Sequence, residues 1–409
     1  MLTALFADSR GNIFDAPGWE PLAGLATMPA KLCAADLIPL PPGSDLMFLP
    51  GRRAMGVQGG KIRVMTGNHR AVAAMLPAGY TRTHIPAYQA DLEAPLLPLF
   101  GYAAAAWYKG RIYVAAVQSD ENAKWDPRRY NTRDLPKRVE KIKHELPDNR
   151  LVEHLAHCSI MWHCCTAQNL FYRRWEAGIP VSPVCNADCL GCISLQPSEC
   201  CPSPQQRIAF TPEPAEIAEI GIFHLSSAQE PIVSFGQGCE GEPALAATAV
   251  AAGVRQIRSR TDRGIINMNT NGGYTAGIQE VIDAGVDSLR VSMISARPQT
   301  HGAYYRSIYG LDEVRASIAY AKKHGRRVSI NMLLLPGLND HPAEYEAWTN
   351  FLGETGVDGV QLRNLNIDPE WFWREIPILD GMPMGVRKFI EALGKDLPNL
   401  PFGSFSKYQ

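Results

Sequence analysis

From about Ser182 onward, short apolar runs alternate with longer amphipathic ones. Residues 231–235, Pro-Ile-Val-Ser-Phe, are apolar and run into glycines, as a buried parallel strand does. Residues 244–260 are alanine-rich with helical spacing. The pattern then predicts strands at 264–270, 288–293, 327–335 and 359–363. Helices fall between them at 276–284, 311–324 and 342–354, with Gly325 closing the second of these. With a first strand near 179–184 this makes about six strand–helix units. Alternation on this scale predicts βαβ units and a parallel sheet. Chemistry in barrels built this way gathers at the C-terminal ends of the strands.

The first 150 residues pattern differently. Strand-like runs at 46–49, 61–64 and 111–117 are separated by turns such as Pro41-Pro42-Gly43 and Gly59-Gly60. They predict an N-terminal β-rich or α+β accessory domain over residues 1–130. Residues 131–178 read as a helical bridging segment, 179–366 as the core, and 367–409 as a C-terminal extension.

Composition narrows the class. The 409 residues are 46% hydrophobic and 20% charged, the profile of a soluble globular protein of two domains or one barrel with additions. A net charge of −1 gives no global attraction to nucleic acid or to an anionic membrane. One stripe, 128–143, carries seven basic residues against Asp134 and Glu140. Such a stripe either touches phosphates, which leaves nucleic acid open as a partner, or is a solvated helix face, the commoner case. Residues 1–8 lack the basic region of a secretory signal. The longest uncharged apolar run, 94–108, is short for a bilayer and holds Pro95 and Pro98. The expected location is cytoplasmic, with no membrane partner. Of ten cysteines, all but Cys33 and Cys239 lie between Cys158 and Cys201. That clustering predicts metal chemistry in a reducing compartment rather than a disulfide scaffold.

The densest signal is Cys185-Asn-Ala-Asp-Cys189-Leu-Gly-Cys192. An iron–sulfur cube held by protein alone takes four thiolates, so three on one loop leave an iron open to an outside ligand. Zinc is the alternative, since Cys200 or Cys201 would complete a tetrahedral set. The C-x3-C-x2-C spacing resembles the signature of the radical S-adenosylmethionine (radical SAM) enzymes. Further runs in the same order, over residues 180–366, are similar to that family. Gly241-Glu242-Pro243 resembles its Gly-Glu-Pro motif, Asn269-Thr270-Asn271-Gly272 its Thr-Asn-Gly strand end, and Arg290-Val291-Ser292 its Arg-Val-Ser run. Asn331 stands where a polar contact to the ribose or carboxylate is found.

The resemblance implies a partial parallel (β/α)6 barrel. It implies a [4Fe–4S] cluster on Cys185, Cys189 and Cys192, with SAM held by Gly241, Glu242, Pro243, Asn269, Asn271, Ser292 and Asn331. It further implies reductive cleavage of SAM to a 5′-deoxyadenosyl radical that abstracts hydrogen from a substrate, fed by a one-electron reductant such as flavodoxin or ferredoxin, in the absence of oxygen. The substrate is expected to be a small molecule. The competing readings are a macromolecule-modifying enzyme acting on tRNA or a peptide, and a SAM-binding sensor or electron carrier without radical chemistry. One departure stands out: where the family places an aromatic residue before the last cysteine, this chain has Gly191.

Three further features stay open. Cys239 is a thiol able to donate a hydrogen atom, or else a small buried packing residue. Cys158, Cys164 and Cys165, with His157 and His163, form a second metal site or a buried helix face. Arg363 and the polar run to Asp368, with Trp371 and Trp373 beyond, suit contact with a substrate carboxylate or phosphate and exclusion of water.

Overall fold

The computed structural model describes residues 1–405 apart from 122, 199–202 and 204. Cys200 and Cys201, the expected fourth zinc ligands, thus lie outside the described residues.

The N-terminal region is a 13-stranded antiparallel sheet between Thr3 and Gln118. Its contact faces are lined by alanines; Ala73, Ala74, Ala103, Ala106, Ala115 and Ala116 are fully buried. Side chains this small let strands and folded-over layers approach closely. Its longest strand, Asp45–Gln58, changes register between Phe48 and Arg53. Gly51, at φ +68°, makes that bend.

Three helices follow: α1 (Leu135–Glu145), α2 (Arg150–Met161) and α3 (Cys165–Tyr172). They lead into a seven-stranded parallel sheet whose strands lie in chain order. The barrel strands are Arg174–Gly178, Gln229–Phe235, Ile265–Thr270, Ser288–Met293, Arg327–Leu334, Gly359–Asn364 and Phe402–Gly403. The connecting helices are α4 (Pro214–Ser227), α5 (Ala247–Arg258), α6 (Thr275–Ala284), α7 (Pro298–Tyr305), α8 (Leu311–Lys323), α9 (Pro342–Thr355), α10 (Pro369–Glu375) and α11 (Val386–Asp396). The first strand lies upstream of the expected 179–184, and a seventh strand joins the expected six.

The strands are apolar on one face only. In the fifth, Val328, Ile330, Met332 and Leu334 are fully buried towards the helices, whereas Ser329 and Asn331 face the inside of the arc. Buried parallel strands are usually apolar on both faces; here the concave face is a polar chamber instead of a packed core.

The N-terminal sheet closes the open side of this arc. Arg82 donates its backbone N–H to Asn364 Oδ1 (2.9 Å) and its guanidinium to Leu365 O (2.6 Å). Ser119 Oγ meets Ser404 Oγ at 2.7 Å beside the seventh strand, and Trp125 stacks on Phe405 at 6.1 Å. Lys124 then pairs with Glu230 at the start of the second strand. The described residues from Ser119 to Trp125 therefore reach from the last barrel strand back to the second. No helix among the described residues is long and apolar enough to cross a membrane.

Candidate functional site

The cysteine loop leaves the C-terminal end of the first barrel strand and lies over the ends of the next two. Its entry is tied by a carboxylate knot. Glu240, 5% exposed, accepts backbone N–H bonds from Val181 (2.8 Å), Ser182 (3.1 Å), Gly236 (2.6 Å) and Gln237 (2.9 Å). Burial pushes its pKa up to about 8 against the opposing pull of those four donors. Backbone then meets backbone: Gly241 N donates to Ser182 O (2.7 Å) and Glu242 N to Val184 O (2.9 Å). A Cβ on Gly241 would stand 1.9 Å from Val184 O, so only glycine allows this approach.

Glu242 is 3% exposed, and its carboxylate is fully engaged within the protein. It accepts from Thr270 Oγ1 (2.6 Å), Asn271 N (2.8 Å) and Ala244 N (3.1 Å). Asn271 is engaged too: Nδ2 donates to Asn186 Oδ1 (2.7 Å), inside the cysteine loop, and Oδ1 accepts from Gly273 N (2.8 Å). Asn186 Nδ2 returns a bond to Gly273 O at 3.0 Å. Glu242 and Asn271 thus hold the loop and the strand ends together rather than projecting into the chamber.

Burial raises the pKa of Cys185 and Cys189, and neighbouring thiols add to it, Cys192 on both and Cys185 on Cys189. They do not converge on one point. Among the described residues, the one group of three or more ligating side chains with its ligand atoms within 4.8 Å of one another lies elsewhere. Thiols neighbouring but unconverged fit a multi-iron cluster, which holds its ligands apart around several metals, better than a single zinc ion. Arg207 Nη2 donates to Cys192 Sγ at 3.3 Å, and its Nε to Ser194 Oγ at 3.0 Å, placing a cation on the thiolate.

Gly191 has a steric cause. A Cβ there would lie 2.8 Å from the Tyr304 hydroxyl and 3.1 Å from Asn366 O. Tyr304 O and Tyr305 O accept from Leu190 N (3.1 Å) and Asp188 N (2.9 Å), so α7 supplies the aromatic wall along this side of the loop. Phe235 and Leu190, the nearby aromatic and apolar side chains, are both buried in core clusters.

Below the loop, Asn269, Ser292 and Asn331 line the chamber. Asn331 Nδ2 donates to Ser292 Oγ (3.2 Å), and Arg363 donates to Asn331 Oδ1 (3.2 Å) and Gln361 Oε1 (2.9 Å). Asn269 Oδ1 accepts from Asn267 Nδ2 at 3.2 Å. Deeper still, Arg290 pairs with Glu176 at 3.1 Å, and Ser234 Oγ donates to the same carboxylate at 2.6 Å. Burial and the charge on Arg290 lower Arg363 to about 10. Arg290 and Arg363 face two carboxylates here, Glu176 and Asp120. A cavity of about 470 Å³ lies at the opposite, N-terminal ends of the strands, lined by Asn267, Arg290, Arg327 and Gln361 with Asp120 and Asp287.

Other expected sites fall out differently. Cys239 is buried against Cys158 and His154, on the α2 side of its loop. Cys165 Sγ faces His163 O at 4.0 Å, the His163 ring meets Asn131 Oδ1 at 2.8 Å, and His157 meets Trp162 edge to face, so none of these three joins the set at Cys158. The basic stripe is largely paired within its own surface: Arg128 with Asp126, Arg138 with Asp134, Lys141 with Glu145 and Lys143 with Glu153. Sequence reasoning missed Glu240, Arg207, Asn186 and the Glu176–Arg290 pair. Only Glu240, an acid next to Gly241-Glu242 in a glycine-rich turn, carried a local signal.

A half-open parallel barrel with a three-thiol loop over its strand ends defines a class of enzymes built around a metal centre at the barrel mouth. Residues 179–347 match the family model of the Radical SAM superfamily and form a radical SAM domain. Members of that family are enzymes that bind a [4Fe–4S] cluster and S-adenosylmethionine. Among solved structures, the chain is similar to a radical SAM methyltransferase from Sphaerobacter thermophilus (17% identity, 57% of this chain and 66% of that one, TM-score 0.41). It is similar to methylornithine synthase PylB (14%, 66% and 77%, 0.40) and to Streptococcus suis SuiB bound to precursor peptide SuiA (12%, 66% and 61%, 0.40). The chain spans just under two thirds of the first and third of these. Likeness at this level says nothing of the substrate. A comparison with the curated proteins finds no match.

Proposed function

We propose that the chain abstracts a hydrogen atom from an anionic small molecule held beside Arg363 on the inner face of the half-barrel. Cys185, Cys189 and Cys192 hold the cluster. The backbone at Gly241, Glu242 and Pro243, with Asn269, Ser292 and Asn331, receives SAM; Glu242 and Asn271 position those groups. When bound, cluster and SAM supply one-electron cleavage to a 5′-deoxyadenosyl radical, and the chain supplies binding, orientation and exclusion of water. A one-electron donor such as flavodoxin or ferredoxin feeds the cluster in a reducing, cytoplasmic setting.

The observation that supports a small substrate is the polar inner face of the half-barrel, where Ser292, Asn331, Gln361 and Arg363 form one hydrogen-bonded set. Arg363 favours a carboxylate or phosphate on the substrate. The pairing of the basic stripe argues against an RNA track along it. The test is anaerobic incubation of reduced enzyme with SAM and fractionated small-metabolite, peptide and tRNA pools. Stimulation of 5′-deoxyadenosine release by an anionic small-molecule fraction is expected. Stimulation by the tRNA or peptide pool alone would overturn the substrate class.

A further inference from the structure

The only described ligand set converging within 4.8 Å is His154, Cys158 and Cys239, and it lies outside the cysteine loop. His154 and Cys158 are four residues apart on α2, on one face of the helix. His154 Nε2 stands 3.6 Å from Cys158 Sγ. Cys239 arrives from the turn after the second barrel strand, far away in sequence. A further thiol lies near, outside the 4.8 Å set. The backbone reverses after α2, Cys164 N donates to Cys158 O at 3.1 Å, and the Cys164 thiol comes close enough to interact by charge with both Cys158 and Cys239.

The spacing suits one ion. With Zn–S near 2.3 Å and Zn–N near 2.0–2.1 Å, a tetrahedral S-to-N edge is about 3.6 Å and an S-to-S edge about 3.8 Å. The S-to-N contact here has that length. A cube or rhomb of iron and sulfide needs room between its ligands that this set does not leave. Cys158 and Cys239 are almost wholly buried, and Gln205 Nε2 points at Cys164 Sγ from 3.8 Å, the kind of outer contact that orients a metal ligand.

We propose that His154, Cys158 and Cys239 bind one zinc ion, and that the Cys164 thiol, outside that converged set, moves in as the fourth ligand of a closed tetrahedral site. It is a structural site, since four protein ligands leave no open position. The ion fastens the α2–α3 hairpin to the turn that carries Glu240 and the Gly241-Glu242-Pro243 run. The site stands apart from the three loop cysteines, so it does not depend on their role.

The test uses the full chain with Cys185, Cys189 and Cys192 all changed to alanine, which removes the loop's metal chemistry. Purified anaerobically, this variant should retain about one zinc per chain. Adding Cys158→Ser or Cys239→Ser should abolish it. Replacing the zinc by Co2+ should give the intense visible absorption of a tetrahedral cobalt–thiolate centre. Three results would overturn the proposal: no zinc in the triple variant, iron and sulfide retained in it, or a Cys158–Cys239 disulfide in the anaerobically isolated chain. If the serine variants fail to fold, the zinc content and cobalt spectrum of the triple variant decide the matter.

Discussion

At the scale of single residues, the site rests on side chains that do no chemistry. Glu242 is the clearest. Its sequence motif suggests a contact to the amino group of SAM, yet its oxygens are engaged by Thr270, Asn271 and Ala244. Glu242→Ala strands two buried N–H groups, each costing about 1–3 kcal/mol, and loosens the loop that receives SAM. SAM affinity should fall roughly ten- to hundredfold while the cluster stays bound; an unchanged titration would contradict the positioning role. Glu240→Ala strands four N–H groups at the root of the cysteine loop and should be more severe, with iron incorporation after reconstitution sharply reduced. Normal iron content in a folded Glu240→Ala protein would dismiss the knot. The motif residues themselves were legible in the sequence because they are local runs. Their partners were not, because Asn186 to Asn271 or Arg207 to Cys192 are contacts between segments that no periodicity links.

At the scale of elements, alternation located the later barrel strands to within a residue or two. It failed at the first. Arg174–Gly178 holds Arg174 and Glu176 and reads as polar, because Glu176 faces the chamber and pairs with Arg290. The apolar residues just after it drew the expectation to 179–184, where Pro180 and Pro183 prevent a regular strand. The helix α4 is joined to this first strand by His224, whose Nε2–H donates to Trp175 O at 2.7 Å. Burial lowers the His224 pKa from 6.5 to about 4. The folded state therefore excludes a proton that the unfolded chain takes up below pH 6.5. Its contribution to stability is complete above that pH and is lost as the pH falls towards 4, at up to about 1.4 kcal/mol per unit. Urea midpoints at pH 7 and pH 5 should differ less in His224→Gln than in the unmodified chain; equal differences would refute this account.

At the scale of the molecule, the N-terminal sheet is what makes the chamber a chamber. Thirteen short strands with long-range pairings left no sequence trace beyond a β-rich pattern, so neither its order nor its contact with the barrel was legible. A second buried joint shows how firmly the two parts meet. Arg52, 2% exposed, donates to Asp368 at 2.8 Å, and Asp368 also caps α10 and accepts from Leu97 N. Arg52→Met leaves Asp368 buried without its cation and should destabilise the protein by about 3–5 kcal/mol, read as a lowered thermal midpoint. A change within about 0.5 kcal/mol, the range of ordinary surface substitutions, would show the joint to be peripheral.

The central claim is that the three-thiol loop carries a redox-active cluster with SAM on it. The most direct measurement is anaerobic reconstitution followed by dithionite and SAM, with 5′-deoxyadenosine and methionine quantified. The account predicts about four irons and four sulfides at the loop, slow formation of both products even without substrate, and loss of cluster and products in each of Cys185→Ala, Cys189→Ala and Cys192→Ala. A cluster retained in all three variants, or SAM bound to a demonstrably reduced cluster with no 5′-deoxyadenosine formed, would contradict it.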